Sequence, residues 1–313
     1  MMTFSISEAL GAGFKLIRYR PLTVLAWGAV LVLPIAVVFV AMFGLLGHVM
    51  AASAATAAGE EPSAQMMAAM VQFQAAALGV NVLQMLGYAM LTAAICRAVF
   101  YPERRPRWFD LRIGMDELRV IVTVLVVGVG VYAGMIVVVL LAAAIGAAFW
   151  LVSQATAVIV GLVAFICGIL GVLVLAVHAS LIAPVSVATG EFAFERGWRL
   201  AKGQLGRLVL MALAIVAIII LIEVLVVAVA GVVMLMLGLT FRSQLEAWSM
   251  MMSEGGGGWA LPGGLIVGFV LLFLPLVAAI YGALTTLYVA PFASAARQLL
   301  SGARDERPGS ALS

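Results

Sequence analysis

Few residues in this 313-residue sequence have the type and setting to do chemistry. Glu223 is the foremost. It stands inside Ile218-Ile219-Ile220-Leu221-Ile222-Glu223-Val224-Leu225, near the middle of a long apolar run. A charged group at the centre of a membrane helix costs a few kcal/mol, so such a residue is a candidate for a proton relay or for a cation or headgroup contact. Its plain structural reading is a carboxyl hydrogen-bonded to a neighbouring helix. Asn81 and Gln84 sit near the middle of another apolar run, three residues apart and so on one helix face. Their depth permits contact with Glu223, and the three make a hypothetical intramembrane polar site. Polar glue between helices is the alternative for Asn81 and Gln84. His178 lies roughly 10 Å from the level of Glu223 by helix rise, so the link open to the two is a relay through water and not a direct pair.

The other candidates lack their chemical partners. Cys96 and Cys167 sit in or beside apolar runs and read as small apolar filler. Met66, Met67 and Met70, and the run Met250-Met251-Met252, have no His or Cys beside them to complete a copper site. The run Gly255 to Gly258 has no following Lys-Ser/Thr and reads as a linker. No Gly-x-Ser-x-Gly elbow, His-Glu-x-x-His or intramembrane aspartate pair is present. The sequence therefore predicts no catalytic residue, cofactor or metal, and not an enzyme.

What must position these residues follows from composition. Hydrophobic residues make up 65% of the chain and charged residues 10%, against about 25% charged in a soluble domain. The mean hydropathy is +1.23. A soluble globule could not hide so much apolar surface, so the chain is predicted to be an integral membrane protein. A bilayer core needs about 20 apolar residues per helix. Six stretches qualify, at about 22–47, 71–98, 120–149, 157–183, 207–238 and 264–292. The first is too long for a signal-peptide core and reads as an uncleaved span. Gly130 and Gly134, and Gly264 and Gly268, have the spacing that permits close helix packing.

The basic residues are one-sided. Of the 17 Lys and Arg residues, only Arg242 falls on the other side of the six spans. The positive-inside rule then places both termini in the cytoplasm. Glu60, Glu61, Glu246 and Glu254 fall in the outer loops, with Trp150, Trp248 and Trp259 as an aromatic belt. The segments between spans are too short for a separate soluble domain, so no nucleic-acid-binding module is expected.

The stretches that precede spans one, three and five look alike. In the first, Ile6, Leu10, Phe14 and Ile17 form an apolar stripe, with Glu8, Lys15 and Arg18 facing away. Ser5 and Glu8 have capping-box spacing. In the second, Leu111, Met115 and Leu118 oppose Arg112, Asp116 and Arg119. In the third, Phe194, Trp198 and Leu205 oppose Glu191, Glu195, Arg199 and Lys202. Each reads as an amphipathic helix in the membrane plane, its basic groups toward lipid phosphates. Ile182-Ala183-Pro184 and Val289-Ala290-Pro291 close spans four and six alike. The expectation is an all-α, polytopic transmembrane bundle with a weak threefold repeat of in-plane helix plus hairpin.

Two stretches carry a family resemblance: Phe4-Ser5-Ile6-Ser7-Glu8-Ala9-Leu10 with Arg20-Pro21, and Phe194-Glu195-Arg196-Gly197-Trp198-Arg199-Leu200-Ala201-Lys202-Gly203. They resemble the bacterial membrane-domain family named after the membrane part of glycerophosphoryl diester phosphodiesterase, and its uncharacterised six-span relatives. The resemblance implies a bacterial inner-membrane protein. In that family the phosphodiesterase activity belongs to a separate soluble barrel, for which this chain has no room, so the activity does not carry over.

The sequence is thus read as a single membrane domain over 1–298 with a short, disordered cytoplasmic tail over 299–313. Its expected function is non-enzymatic, in envelope or lipid organisation. The hypothetical contacts to anionic lipid are Lys15, Arg18, Arg112, Arg119, Arg196, Arg199 and Lys202. The alternative is a small transporter or lipid translocator with Glu223 in the path.

Overall fold

Apolar runs this long have one stable form in lipid, because every backbone N–H and C=O must be met within the segment. The computed structural model accordingly shows an all-α polytopic bundle. It describes residues 4–38, 64–103, 108–111, 114–240, 242 and 263–305. The helices are α1 (Ile6–Tyr19), α2 (described over Pro21–Val38), α3 (Ala64–Phe100), α4 (Met115–Phe149), α5 (Gln154–Ala179), α6 (Ile182–Thr189), α7 (Phe194–Lys202), α8 (Leu205–Thr240) and α9 (Gly263–Asp305). Six apolar helical stretches are long enough to cross a membrane: Pro21–Val38, Val71–Phe100, Met115–Phe149, Gln154–Thr189, Leu205–Thr240 and Phe273–Gly302.

Several boundaries differ from the sequence expectation. The fourth span is broken by a turn at Ser180 and Leu181, between α5 and α6. The sixth continues as helix to Asp305, so residues 299–305 extend α9 instead of starting a tail. The repeat is also incomplete. Where a second in-plane helix was expected, Trp108–Asp110 forms a 3₁₀ turn and Leu111 lies outside any helix. Phe109 and Asp110 both take left-handed backbone angles there, which helices exclude, and α4 runs directly from Met115 into its span.

The chain forms two compact units. The first comprises Met1–Pro21, Tyr88–Ile215 and Thr286–Ser313. Its centre is the end of α3, where Leu91, Ala93, Ala94, Ile95 and Cys96 are all buried. A helix buried all round needs no polar face, which explains the unbroken apolar run here. α4 and α5 form an antiparallel hairpin around a turn capped by Ser153, whose side chain accepts from Thr156 N–H at 3.0 Å. Their outer faces leave Leu125, Val129, Tyr132, Leu140, Val158 and Leu162 exposed. So much exposed apolar surface is foreign to a soluble monomer and suits contact with lipid.

The second unit comprises Leu22–Gly87 and Val216–Thr285. Here α2 and α9 meet backbone to backbone. A Cβ on Gly28 would overlap the Ala278 carbonyl, and one on Gly282 would overlap the Val24 carbonyl. Small residues allow such an approach, and in a membrane the resulting van der Waals contact drives helix association. Of the glycines expected to pack closely, Gly134 touches Val172, while Gly130 faces open space. Gly264 and Gly268 fall in α9 but their surroundings lie outside the described residues.

Candidate functional site

Within the first unit, one end carries nearly all of the charge, and the geometry sorts it into a buried cluster and an exposed rim. The cluster grows from two helix ends. Arg97 lies in the last turn of α3, and Asp116 and Glu117 lie in the first turn of α4. Each charge suits the partial charge of its own helix end. The fold then brings the two ends together. Arg97 Nη1 lies 2.6 Å from Glu117 Oε1 and 3.6 Å from Asp116 Oδ2. Arg97 and Glu117 are 7% and 2% exposed, so the pair is withdrawn from water. Arg97 Nη2 donates to the Asp110 carbonyl at 2.7 Å, which the left-handed turn presents to it. Arg119 Nη1 donates to Asp116 Oδ1 at 2.9 Å. Arg20 adds an ion pair to Asp110 at 3.8 Å and donates to the Pro102 carbonyl at 2.8 Å.

Further arginines fasten chain ends to this region. Arg297 Nη1 donates to the Val99 carbonyl at 2.8 Å, a cation at the C-terminal end of α3. Arg207 Nη1 donates to the Phe4 carbonyl at 3.3 Å, and Gln298 Oε1 accepts from the Ser5 N–H at 2.8 Å.

The rim is made by α1 and α7, and both are oriented differently from the sequence expectation. α1 buries Ala9, Gly13 and Leu16, not the stripe through Phe14, and Phe14 is exposed beside Lys15 and Arg18. α7 and its flank bury Ala193, Gly197 and Ala201, while Trp198 stays partly exposed beside Arg196, Arg199 and Lys202. The cause is the same in both. Small residues on the inward face let the helix approach its neighbour, with Leu16 buried beside them on α1, and Phe14 and Trp198 are left outward. Gly197 shows how close: a Cβ there would lie 2.7 Å from Ile182 Cα. Arg199 makes an exposed ion pair with Glu195 at 3.7 Å, of a kind that contributes little to stability. A depression of about 390 Å³ opens beside α7, with Tyr101, Glu191, Arg196, Arg297 and Ser301 among its lining residues.

His178 has a role that spacing along the chain could not show. It is buried at the end of α5, its Nε2 lies 3.2 Å from the Trp198 carbonyl, and its ring packs against the Trp198 indole with centroids 4.1 Å apart and planes tilted by 46°. It holds α7 in place. Trp198→Ala is expected to weaken that attachment by about 1–2 kcal/mol, raising hydrogen exchange across Phe194–Lys202 about tenfold. Trp198→Phe should retain most of the protection.

The sequence-derived candidates fare unevenly. Glu223 is exposed on α8, between exposed Leu221, Val224 and Leu225. Asn81 is exposed and Gln84 half-buried on α3. No hydrogen bond joins these three among the described residues. Of the expected lipid contacts, Lys15, Arg18, Arg196, Arg199 and Lys202 are exposed, whereas Arg119 is drawn into the buried cluster. Arg112 lies outside the described residues, as do Glu60, Glu61, Met250–Met252, Gly255–Gly258, Trp248 and Trp259. The buried Arg97–Glu117 pair was missed. Its one signal is that Arg97 has apolar neighbours on both sides, in Ile95-Cys96-Arg97-Ala98-Val99.

Fold and composition together define the class: a polytopic α-helical membrane protein with a charge-rich end. No family model matches the chain, and no curated protein or solved structure shows significant similarity to it.

Proposed function

We propose that this chain is a non-enzymatic, multi-pass protein of the bacterial inner membrane that gathers anionic lipid around its basic, cytoplasmic end. The observation that carries the reading is the paired display on α1 and α7. On each, an exposed aromatic residue, Phe14 or Trp198, stands among exposed basic residues, Lys15 and Arg18 or Arg196, Arg199 and Lys202. Amphipathic helices of this composition lie at the headgroup level, with rings toward acyl chains and cations toward phosphates. The acids of the buried cluster, Glu117, Asp116 and Asp110, face arginines and so do not cancel this field, while the exposed Glu8, Glu191 and Glu195 offset only part of it. The depression with Arg196 and Arg297 offers a seat for a phosphate headgroup. The one-sided Lys and Arg distribution supports a cytoplasmic placement of this end, and the resemblance of the Phe4 and Phe194 stretches supports the bacterial envelope.

Native mass spectrometry of the full-length protein tests the reading. A basic side chain near an anionic surface contributes about 1 kcal/mol. Replacing Arg196, Arg199 and Lys202 by Gln should therefore lower the affinity for phosphatidylglycerol about a hundredfold at low salt, with the protein still folded. Unchanged retention of anionic lipid by the folded variant would sink the proposal.

A further inference from the structure

A second feature of the first unit stands apart from the basic rim. A cavity of about 340 Å³ lies among α3, α4, α5, α6 and α9. Its walls are mainly apolar, including Val127, Val131, Ala179 and Phe292. No Lys, Arg, His, Asp or Glu lines it.

Two polar groups that line this cavity lack their usual partners. Thr123 is 1% exposed, and its Oγ1 has no hydrogen-bond partner among the described residues. The second arises from the break between α5 and α6. Pro184 has no N–H, so the Ser180 carbonyl one turn before it loses its helical donor. Both Ser180 and Pro184 line the cavity. Two of the other hydroxyls there are engaged locally: Thr92 Oγ1 donates to the Tyr88 carbonyl at 2.8 Å, and Ser180 Oγ to the Val177 carbonyl at 2.6 Å; the phenols of Tyr88 and Tyr288 also line the cavity. Broken helical backbone at membrane depth is tolerated where it lines a cavity whose occupant satisfies it.

We propose that this cavity binds an uncharged long-chain alcohol. Its hydroxyl would donate to the Ser180 carbonyl and accept from the Thr123 Oγ1–H. Its chain would run along Val127 and Val131, which follow Thr123 on the same face of α4 over about 12 Å. The volume falls in the range of small-molecule sites. A phosphate headgroup is disfavoured, because nothing in the lining pairs a buried charge. Water alone fits poorly, since about ten molecules would find too few polar partners in so apolar a space. The mouth is exposed at Gly128 and Tyr288, on helices whose outer faces suit lipid contact, so entry is lateral from the bilayer.

The test uses the full-length protein in detergent micelles with diazirine-tailed probes: a monoacylglycerol, a polyisoprenol and a phosphatidylglycerol. Cross-linked peptides are mapped by mass spectrometry. One of the two alcohols should label the segments 123–131 and 176–184, and which one does so distinguishes a glycerolipid from an isoprenoid source. Thr123→Val should lower that labelling three- to tenfold, as one lost neutral hydrogen bond requires. Gly128→Leu should abolish it, because a Cβ at Gly128 meets no atom within 4 Å and the added chain fills the cavity without disturbing the helix. Both variants should melt at or above the wild-type temperature without ligand. Labelling by neither alcohol, equal labelling by phosphatidylglycerol, or labelling that survives Gly128→Leu would overturn the proposal. So would a fall in the ligand-free melting temperature of Thr123→Val, which would mean that the hydroxyl already has a partner. Gln substitutions at Arg196, Arg199 and Lys202 leave this labelling unchanged, so the failure of either reading is seen separately.

Discussion

Arg97→Ala is expected to destabilise the folded protein by about 3–5 kcal/mol, the cost of stranding one member of a buried ion pair. Glu117 would be left 2% exposed with its nearest cation, 2.6 Å away, removed. The Asp110 carbonyl would also lose its donor. Glu117→Ala should cost a similar amount, because Arg97 would keep only the neutral Asp110 carbonyl at 2.7 Å and the more distant Asp116 carboxylate at 3.6 Å. The pair itself is not worth that much. Arg97 Nε and Glu117 Oε2 are buried without hydrogen-bond partners among the described residues, so desolvation is incompletely offset. The double variant Arg97→Met, Glu117→Leu should therefore recover most of the loss. Unfolding of the wild type, Arg97→Met, Glu117→Leu and the double variant in a denaturing-detergent titration makes a double-mutant cycle; single losses of about 3 kcal/mol each against a double loss of about 1 kcal/mol give an expected coupling of about 5 kcal/mol. Additive losses would show that the two residues act independently, against the geometry described.

The second large effect is expected where two backbones touch. Gly28→Leu and Gly282→Leu should each cost about 3 kcal/mol or more, because the new Cβ falls onto the carbonyl of a facing helix and no side-chain rotation relieves it. Size-exclusion profiles of detergent-solubilised protein should show loss of the monodisperse peak in both. Gly130→Leu is the matched control: it adds the same side chain on a membrane helix, yet no atom lies within 4 Å of its Cβ. A normal profile for all three would mean that α2 and α9 do not approach as described. Even Gly28→Ala should be costly, which separates this contact from that of Gly134, where the nearest neighbour is a Val172 methyl at 3.3 Å.

These two sites mark the limit of what could be read along the chain. Arg97 was visible as one basic residue among those on one side of the membrane, but not as a buried ion. Its meaning depends on Asp116 and Glu117, which the chain delivers only after a loop and a left-handed turn at Phe109 and Asp110. The Gly28–Ala278 contact has no local signature, since the partners belong to the first and last spans. The glycines with GxxxG spacing, by contrast, include Gly130, which meets nothing.

Local properties were legible. Transfer of apolar side chains and the hydrogen-bond demand of the backbone act residue by residue, so hydropathy alone determines six helical spans and a membrane class. Asymmetry of Lys and Arg is likewise a sum over positions, and it suffices to predict an orientation. Which face of α1 or α7 turns inward is not a local property. Periodicity pointed to the bulky stripe of Phe14 and Trp198, but the protein buries Ala9, Gly13, Gly197 and Ala201. In water the largest apolar face would win the interior. In a membrane the acyl chains are as apolar as a protein core, so burying the largest apolar face carries no advantage and close packing of small residues decides the contact. Only the tertiary structure holds that choice, along with the buried pair at Arg97 and the cavity at Thr123, because each depends on helices that meet far from one another in sequence.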